Sequence, residues 1–228
     1  LLLARDDAID LAIPRGGESL IRSVVACSKV PVIKHDKGVC SLYVHAAADL
    51  NMALRLVVNA KVQRPGVCNA IENLLVDAAI APVFLPRLAA EMATHGVELR
   101  ADAEALPLLP GAIPASEADW STEYLALILA VKTVPGLEEA IRFTDRYGSH
   151  HSDGIVTADT QVAERYLAAV DSACVYHNAS TRFTDGAQFL LGAEVGISTN
   201  RVHARGPMGL AELCTYKYVL RGTGQVRA

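Results

Sequence analysis

The chain has 228 residues, enough for one large domain or two small ones; 51% are hydrophobic and only 5% aromatic. That balance describes an Ala/Val/Leu-rich core of helices on buried parallel strands and excludes an aromatic-rich all-β protein. The net charge of −4, with no basic tract interleaved with aromatics, argues against nucleic acid as a partner.

Apolar runs and helical patterns alternate almost throughout. Residues 9–13 (IDLAI) read as a short buried strand entering a PRGGE turn, after which SLIRSVVAC has helical spacing at Leu20, Val24 and Cys27. PVI (31–33) and LYV (42–44) read as strands. Asp49 is placed to cap a helix carrying Met52, Leu54, Leu56 and Val57. A Pro-Gly-x-Cys turn leads to the strand ENLLV, followed by a helix with Ile80, Val83, Phe84, Leu88 and Met92 on one stripe, closed by His95-Gly96. Then come VEL (97–99), a Pro-rich connection, the strand LALILAV (125–131) and the helix GLEEAIRFTDRYG (136–148). GIVT, TQVAERYLAAV and ACVYHNA add two further β–α steps, and CTYKYVL near the end reads as an apolar, aromatic strand. The pattern predicts an α/β fold with mostly parallel sheets flanked by helices.

Cys27, Cys40, Cys68, Cys174 and Cys214 are odd in number, widely spaced and form no CxxC, so neither a disulfide framework nor a zinc site is expected. A reducing compartment, the cytoplasm, fits best. Cys27 and Cys174 read as core residues. The longest apolar runs are too short to span a bilayer. The first ten residues hold no charged leader, apolar core or cleavage site, so no signal peptide is read, and the chain starts without Met, as if mid-domain.

Several stretches carry reactive side chains. In QRPGVCNA (63–70), Pro65-Gly66 holds a sharp bend just before Cys68. A thiol there either faces a bound substrate or fills a small apolar gap. In IPRGGESL, backbone N–H groups at Gly16, Gly17 and the following helix start suit a phosphate, with Arg15 adding charge. His35 suits acid/base work, since an unperturbed imidazole titrates near neutral pH, or it is simply a solvated loop residue. His150-His151 lacks an i,i+4 partner and makes a poor metal site. Glu123 precedes a strand, where a carboxylate can reach into a cleft or sit at an ordinary edge. Asn178, Ser180, Thr181 and Arg182 gather donors for a carboxylate or phosphate.

The segments IPRGG, QRPGVCNAIENLLV, TEYLALILAVK, NASTRFTDG and HARGPMGL followed by TYKY, in this order, resemble the gamma-glutamyl phosphate reductase family of the aldehyde dehydrogenase superfamily. The resemblance covers nearly the whole chain. It implies an aldehyde dehydrogenase-like fold with an incomplete amino-terminal cofactor domain. Residues 1–60 would be a remnant of the NADPH-binding domain, 61–180 the catalytic domain, and 181–228 a return to the cofactor domain ending in an oligomerisation strand. It further implies NADPH-dependent reduction of L-glutamyl gamma-phosphate to the semialdehyde in proline biosynthesis, with Cys68 as nucleophile through a thioacyl intermediate. The backbone N–H of Cys68 would contribute to an oxyanion hole.

By the same resemblance, His35 lies where related dehydrogenases carry a general base, and Glu123 resembles their cofactor-ribose carboxylate. Arg15, Gly16 and Gly17 would meet the cofactor, and Asn178, Ser180, Thr181 and Arg182 would hold the charged end of the substrate. No metal is implied. The expected partners are a small acyl phosphate, further copies of the chain and a glutamate kinase, with no nucleic acid and no membrane. Two positions depart from the family pattern GxCHxYVD: Ser41 and His45 stand where histidine and aspartate are expected. The alternative reading is a catalytically incompetent binding or oligomerisation module.

Overall fold

The computed structural model describes residues 2–35 and 37–227. Seven strands form one sheet: β1 (Cys40–Val44), β2 (Ile71–Asp77), β3 (Glu98–Ala101), β4 (Ile113–Pro114), β5 (Ile128–Val134), β6 (Ser152–Val156) and β7 (Cys174–His177). Their order is β4-β3-β5-β2-β1-β6-β7, and every pairing is parallel. Helices α2 (Leu50–Val62), α3 (Ala81–Thr94), α4 (Leu137–Tyr147) and α5 (Thr160–Ala169) make the crossovers.

Alternation along the strands sorts side chains between two layers. Leu42, Leu74, Val76 and Val131 pack with Val57 of α2 and with Phe84, Leu88 and Met92 of α3. Tyr43, Leu75, Ala130 and Ile155 face the other way, onto Phe143 of α4 and Tyr166 of α5. Both faces are covered, so the strands are near-continuous apolar runs. Pro114 sits in the edge strand β4, where a missing N–H is tolerated.

Local signals account for most helix ends. The Asp49 carboxylate accepts from the N–H groups of Asn51 and Met52 at the start of α2. In α4, Glu138 and Glu139 lie in the first turn and Arg146 in the last, matching the helix dipole. The α3 stripe is as expected except at Val83, which is exposed.

A smaller assembly stands beside the sheet. It holds α1 (Glu18–Cys27), the antiparallel pair β8 (Gly196–Ser198) and β9 (Gly206–Met208), and a small core of Ile33, Ala204 and Met208. Residues near 195–200 return to the amino-terminal segment: Asn200 Nδ2 donates to the Val32 carbonyl and Arg15 to that of Val195. The domain boundary expected at residue 60 falls inside α2, and the sheet runs across it from Cys40 onward.

Four expected strands come out differently. IDLAI and PVI meet only through a single bridge, Ala12 with Val32, because neither finds a place in the main sheet. LALILAV begins as a strand three residues later, at Ile128, because Leu125 has φ of 54° and cannot extend. CTYKYVL pairs with no strand among the described residues; Tyr218 is 82% and Leu220 87% exposed. Cys27, expected in the core, is exposed on α1.

One ion pair is wholly buried. Lys61 Nζ, at the end of α2, meets Glu72 Oε2 of β2 at 2.5 Å, both side chains having no exposure. Glu72 is also the extra residue where the β1–β2 register shifts, Cys40 facing Ile71 and Ser41 facing Asn73. Burial pushes the Glu72 carboxyl up to about 7 despite its partner, and pushes Lys61 down. In Lys61→Met nothing offsets that burial, so Glu72 keeps its proton in the folded state while the unfolded chain, with an ordinary carboxyl near 4.5, releases it. The variant should lose about 3–5 kcal/mol at neutral pH. Relative to the unmutated chain, whose own Glu72 carboxyl ionises only near 7, its deficit should deepen as pH rises above about 7, by about 1.4 kcal/mol per unit. Urea unfolding across that range measures this; a deficit that shrinks with rising pH would contradict the assignment.

Candidate active site

The amino ends of four strands bring the reactive residues together. Cys68 precedes β2, His35 and Gly38 precede β1, Glu123 precedes β5, and His151 precedes β6. The turn carrying Cys68 runs from residue 63 to 70 and is braced from behind. Thr181 Oγ1 donates to the Asn69 carbonyl at 2.6 Å, Asn69 Nδ2 donates to that of Thr184, and Arg182 bonds both Asn69 Oδ1 and Gln63 Oε1. Cys40 Sγ donates to the Cys68 carbonyl at 3.2 Å.

Gly38 presses on the same residue. A Cβ built there would lie 2.0 Å from the Cys68 carbonyl oxygen and 2.5 Å from its Cα. Only glycine allows that approach. The Gly38 N–H donates to Glu123 Oε1 at 2.9 Å, tying the carboxylate to this segment.

Cys68 is half-buried and lines a cleft of about 190 Å³ with Arg15, Gly16, His35 and Glu194. Burial raises the thiol to about 11, with Glu123 and Glu194 adding to the rise; its own N–H and Arg182 pull the other way. The resting group is therefore a thiol at neutral pH.

His35 packs edge-on against His151, their ring centroids 5.2 Å apart. His151 is fully buried, and Ser152 Oγ lies 2.8 Å from its Nδ1. Ser152 in turn contacts Thr184 Oγ1, which also meets the Tyr176 hydroxyl. Burial, with the charge of His35, pushes His151 down to about 3, so it is neutral. Sequence reasoning weighed His151 only with His150. What brings it here is the crossover that sets β6 beside β1, which no local pattern records.

A second cleft of about 430 Å³ adjoins the first through Gly16 and His35 and is also lined by Gly17, Lys37 and Glu123. Gly17 is the N-cap of α1, with no side chain capping the helix, and a Cβ there would meet nothing within 4 Å. The helix start is thus open to an anion. Arg15 donates to the Val195 carbonyl at 2.7 Å, bridging to the strand segment opposite.

The NASTRF residues divide. Arg182 and Thr181 lie behind the cysteine turn as its braces, and Ser180 Oγ accepts from the Arg182 N–H. Asn178 lies past the carboxyl ends of β6 and β7, its side chain bonded to the Thr157 backbone, and lines neither cleft. Ser41 is buried with its hydroxyl unpartnered among the described residues, while its N–H donates to Asp153. His45 Nδ1 meets Thr157 Oγ1 at 2.9 Å. No helix among the described residues is long and apolar enough to cross a membrane.

No family model matches the chain. Curated relatives do. The gamma-glutamyl phosphate reductase of Nautilia profundicola is 56% identical over 226 residues, 99% of this chain and 55% of the relative. That of Aquifex aeolicus is 55% identical over 234 residues, 99% of this chain and 54% of the relative. The crystal structure of gamma-glutamyl phosphate reductase from Thermotoga maritima superposes with a TM-score of 0.97 at 47% identity, covering 100% of this chain and 55% of that one. An acetylating aldehyde dehydrogenase from Geobacillus thermoglucosidasius has a TM-score of 0.72 at 20% identity over 98% of this chain and 59% of its own, a likeness of fold. The fold is aldehyde dehydrogenase-like, and the chain spans about half the length of the curated relatives it matches.

The contact of Gly38 with the Cys68 backbone is directly testable. Gly38→Ala should force the two segments apart, costing about 1–3 kcal/mol by urea unfolding. It should also change the rate at which Cys68 reacts with iodoacetamide. Unchanged stability together with an unchanged rate would contradict the contact.

Proposed function

We propose that this chain, which belongs over its whole length with the gamma-glutamyl phosphate reductases, supplies the reacting thiol for NADPH-dependent reduction of L-glutamyl gamma-phosphate to glutamate gamma-semialdehyde. The observation that carries the reading is a half-buried thiol, on a braced turn, opening into a cleft beside two imidazoles. Cys68 Sγ, on losing its proton to His35, attacks the acyl carbon. The C–O bond to phosphate breaks, and a thioester remains on the enzyme. A thiolate is the stronger nucleophile, so the raised thiol pKa gives His35 a defined task. In this reading the Cys68 N–H stabilises the developing oxyanion.

The reduced nicotinamide, when bound, supplies the hydride that converts the thioester to a hemithioacetal. Collapse of the latter breaks the C–S bond and returns the proton and the thiol. The residues present fit such a cofactor: the uncapped α1 start with its open space at Gly17 suits a phosphate. Glu123 keeps one carboxylate oxygen beyond the Gly38 bond for a ribose hydroxyl. Arg15 and Gly16 complete that wall. Arg182, Thr181, Ser180 and Asn178 are assigned to the charged end of the substrate. For Arg182 and Thr181 this works through the cysteine turn they brace, and for Ser180 through the Arg182 N–H it accepts; the Asn178 side chain is spent on Thr157. The reading places the protein in proline biosynthesis in the cytoplasm, working with a kinase that makes the acyl phosphate.

The exposed apolar segment from Cys214 supports a second role, pairing with another copy of the chain, since unpaired strand-like segments of this kind seek a partner. Both roles belong to the whole protein, so they are tested in a chimaera that joins this chain to the remaining half of the Thermotoga maritima relative. Cys68→Ser should lower phosphate-dependent NADP⁺ reduction with the semialdehyde by roughly 10⁴-fold or more. Retention of the rate would sink the nucleophile assignment. Removing residues from Cys214 onward should shift the species seen by light scattering from oligomer towards monomer or aggregate; an unchanged oligomer would exclude the segment from assembly.

A further inference from the structure

We propose that Cys68 Sγ and one ring nitrogen each of His35 and His151 form a capture site for a thiophilic divalent cation, Zn²⁺ foremost, whose binding silences the thiol. These three ligand atoms all lie within 4.8 Å of one another. In a tetrahedral zinc site, Zn–S near 2.3 Å and Zn–N near 2.0 Å put ligand atoms roughly 3.3–3.6 Å apart. Closing the remaining gap takes an adjustment of about 1 Å, within reach of a turn cysteine rotamer and of a histidine in an irregular segment ahead of β1.

His151 is the fixed point. It is fully buried, with Nδ1 engaged by Ser152 Oγ and with Nε2 lacking a hydrogen-bond partner among the described residues. A buried ring nitrogen without a partner is costly unless something occupies it. Metal-binding histidines characteristically have the other ring nitrogen held by an outer hydrogen bond, and the Ser152–Thr184–Tyr176 chain is such a support. One sulfur and two imidazoles select zinc-like ions over magnesium or calcium. Glu123 and Glu194, which raise the energy of the thiolate, favour a cation beside it. On capture the S–H bond breaks, an S–metal bond forms and the proton leaves to solvent; no oxidant is needed. The fourth position opens into the cleft that Cys68 lines. Capture stands independently of the reductase reading, whereas its inhibitory consequence rests on the reading of Cys68 as nucleophile.

The test titrates the 228-residue chain with Co²⁺, a spectroscopic stand-in for zinc. One equivalent should bring up a thiolate-to-cobalt charge-transfer band with the intense visible bands of a four-coordinate ion. Cys68→Ser should abolish the charge-transfer band, and His35→Ala or His151→Ala should weaken binding by at least about tenfold. Cys27→Ser and Cys214→Ser, at the two exposed thiols, should leave it unchanged. The unmutated chain gives a second readout that no folding defect can blur. Saturating Zn²⁺ should slow alkylation of Cys68 at least about tenfold, read by peptide mass spectrometry, while labelling of Cys27 and Cys214 continues. A band that survives Cys68→Ser, or a Cys68 labelling rate indifferent to Zn²⁺, overturns the proposal. Neither measurement uses turnover, so failure here is separable from failure of the reductase reading.

Discussion

Between the end of α2 and the start of β2 the chain has eight residues in which to reverse and present a thiol, and both ends of that excursion are pinned by one buried contact, Lys61 with Glu72. The same carboxylate accepts the Leu125 N–H at 3.3 Å, so the segment carrying Glu123 is tied to the base of the cysteine turn. The Lys61 ammonium also lies 5.9 Å from the Tyr124 ring centroid. Without this contact three segments would each have to find their place separately. With it, thiol and carboxylate are set by a common anchor. The anchor is expensive, because burial works against both charges, and a hydrophobic pair could fill the space at lower cost. What a hydrophobic pair could not do is accept from Leu125.

Electrostatics around the thiol run opposite to what a ready nucleophile requires. Two carboxylates and burial keep sulfur protonated, and the nearest deep imidazole is neutral. A site of this kind is quiet until something changes its surroundings, whether an incoming substrate, a cofactor charge or a metal ion. Quiet thiols resist oxidation, which proceeds through the thiolate. On the proposed reading, the arrangement protects Cys68 between turnovers at the expense of needing a proton acceptor within each one.

Much of the fold could be read from sequence because it rests on local chemistry. Charges placed along α4, the Asp49 cap of α2 and the apolar runs of β2 and β5 are written in adjacent residues. The misreadings share a cause. IDLAI, PVI and CTYKYVL have strand composition, but strand formation needs a neighbour, and composition does not say whether one exists. The site divides the same way. Pro65-Gly66 before Cys68 marked its turn, and Gly16-Gly17 marked a helix start. His151 and Gly38 went unmarked, one because it arrives through a crossover and the other because its role is the absence of an atom.

That absent atom has a mechanical consequence. With no Cβ at residue 38, the backbone ahead of β1 and the carbonyl of Cys68 touch without any side chain between them to act as a cushion. Side-chain contacts can yield by rotation about χ angles, but two abutting main chains cannot. The segment that carries His35 and the turn that carries Cys68 must then shift together, as two links of one chain-to-chain joint. Thermal motion, or strain from a ligand pulling on sulfur, is passed on directly to the segment holding the imidazole. The main-chain contact between Gly38 and Cys68 is preserved, while the side chains of Cys68 and His35 still turn about their own χ angles.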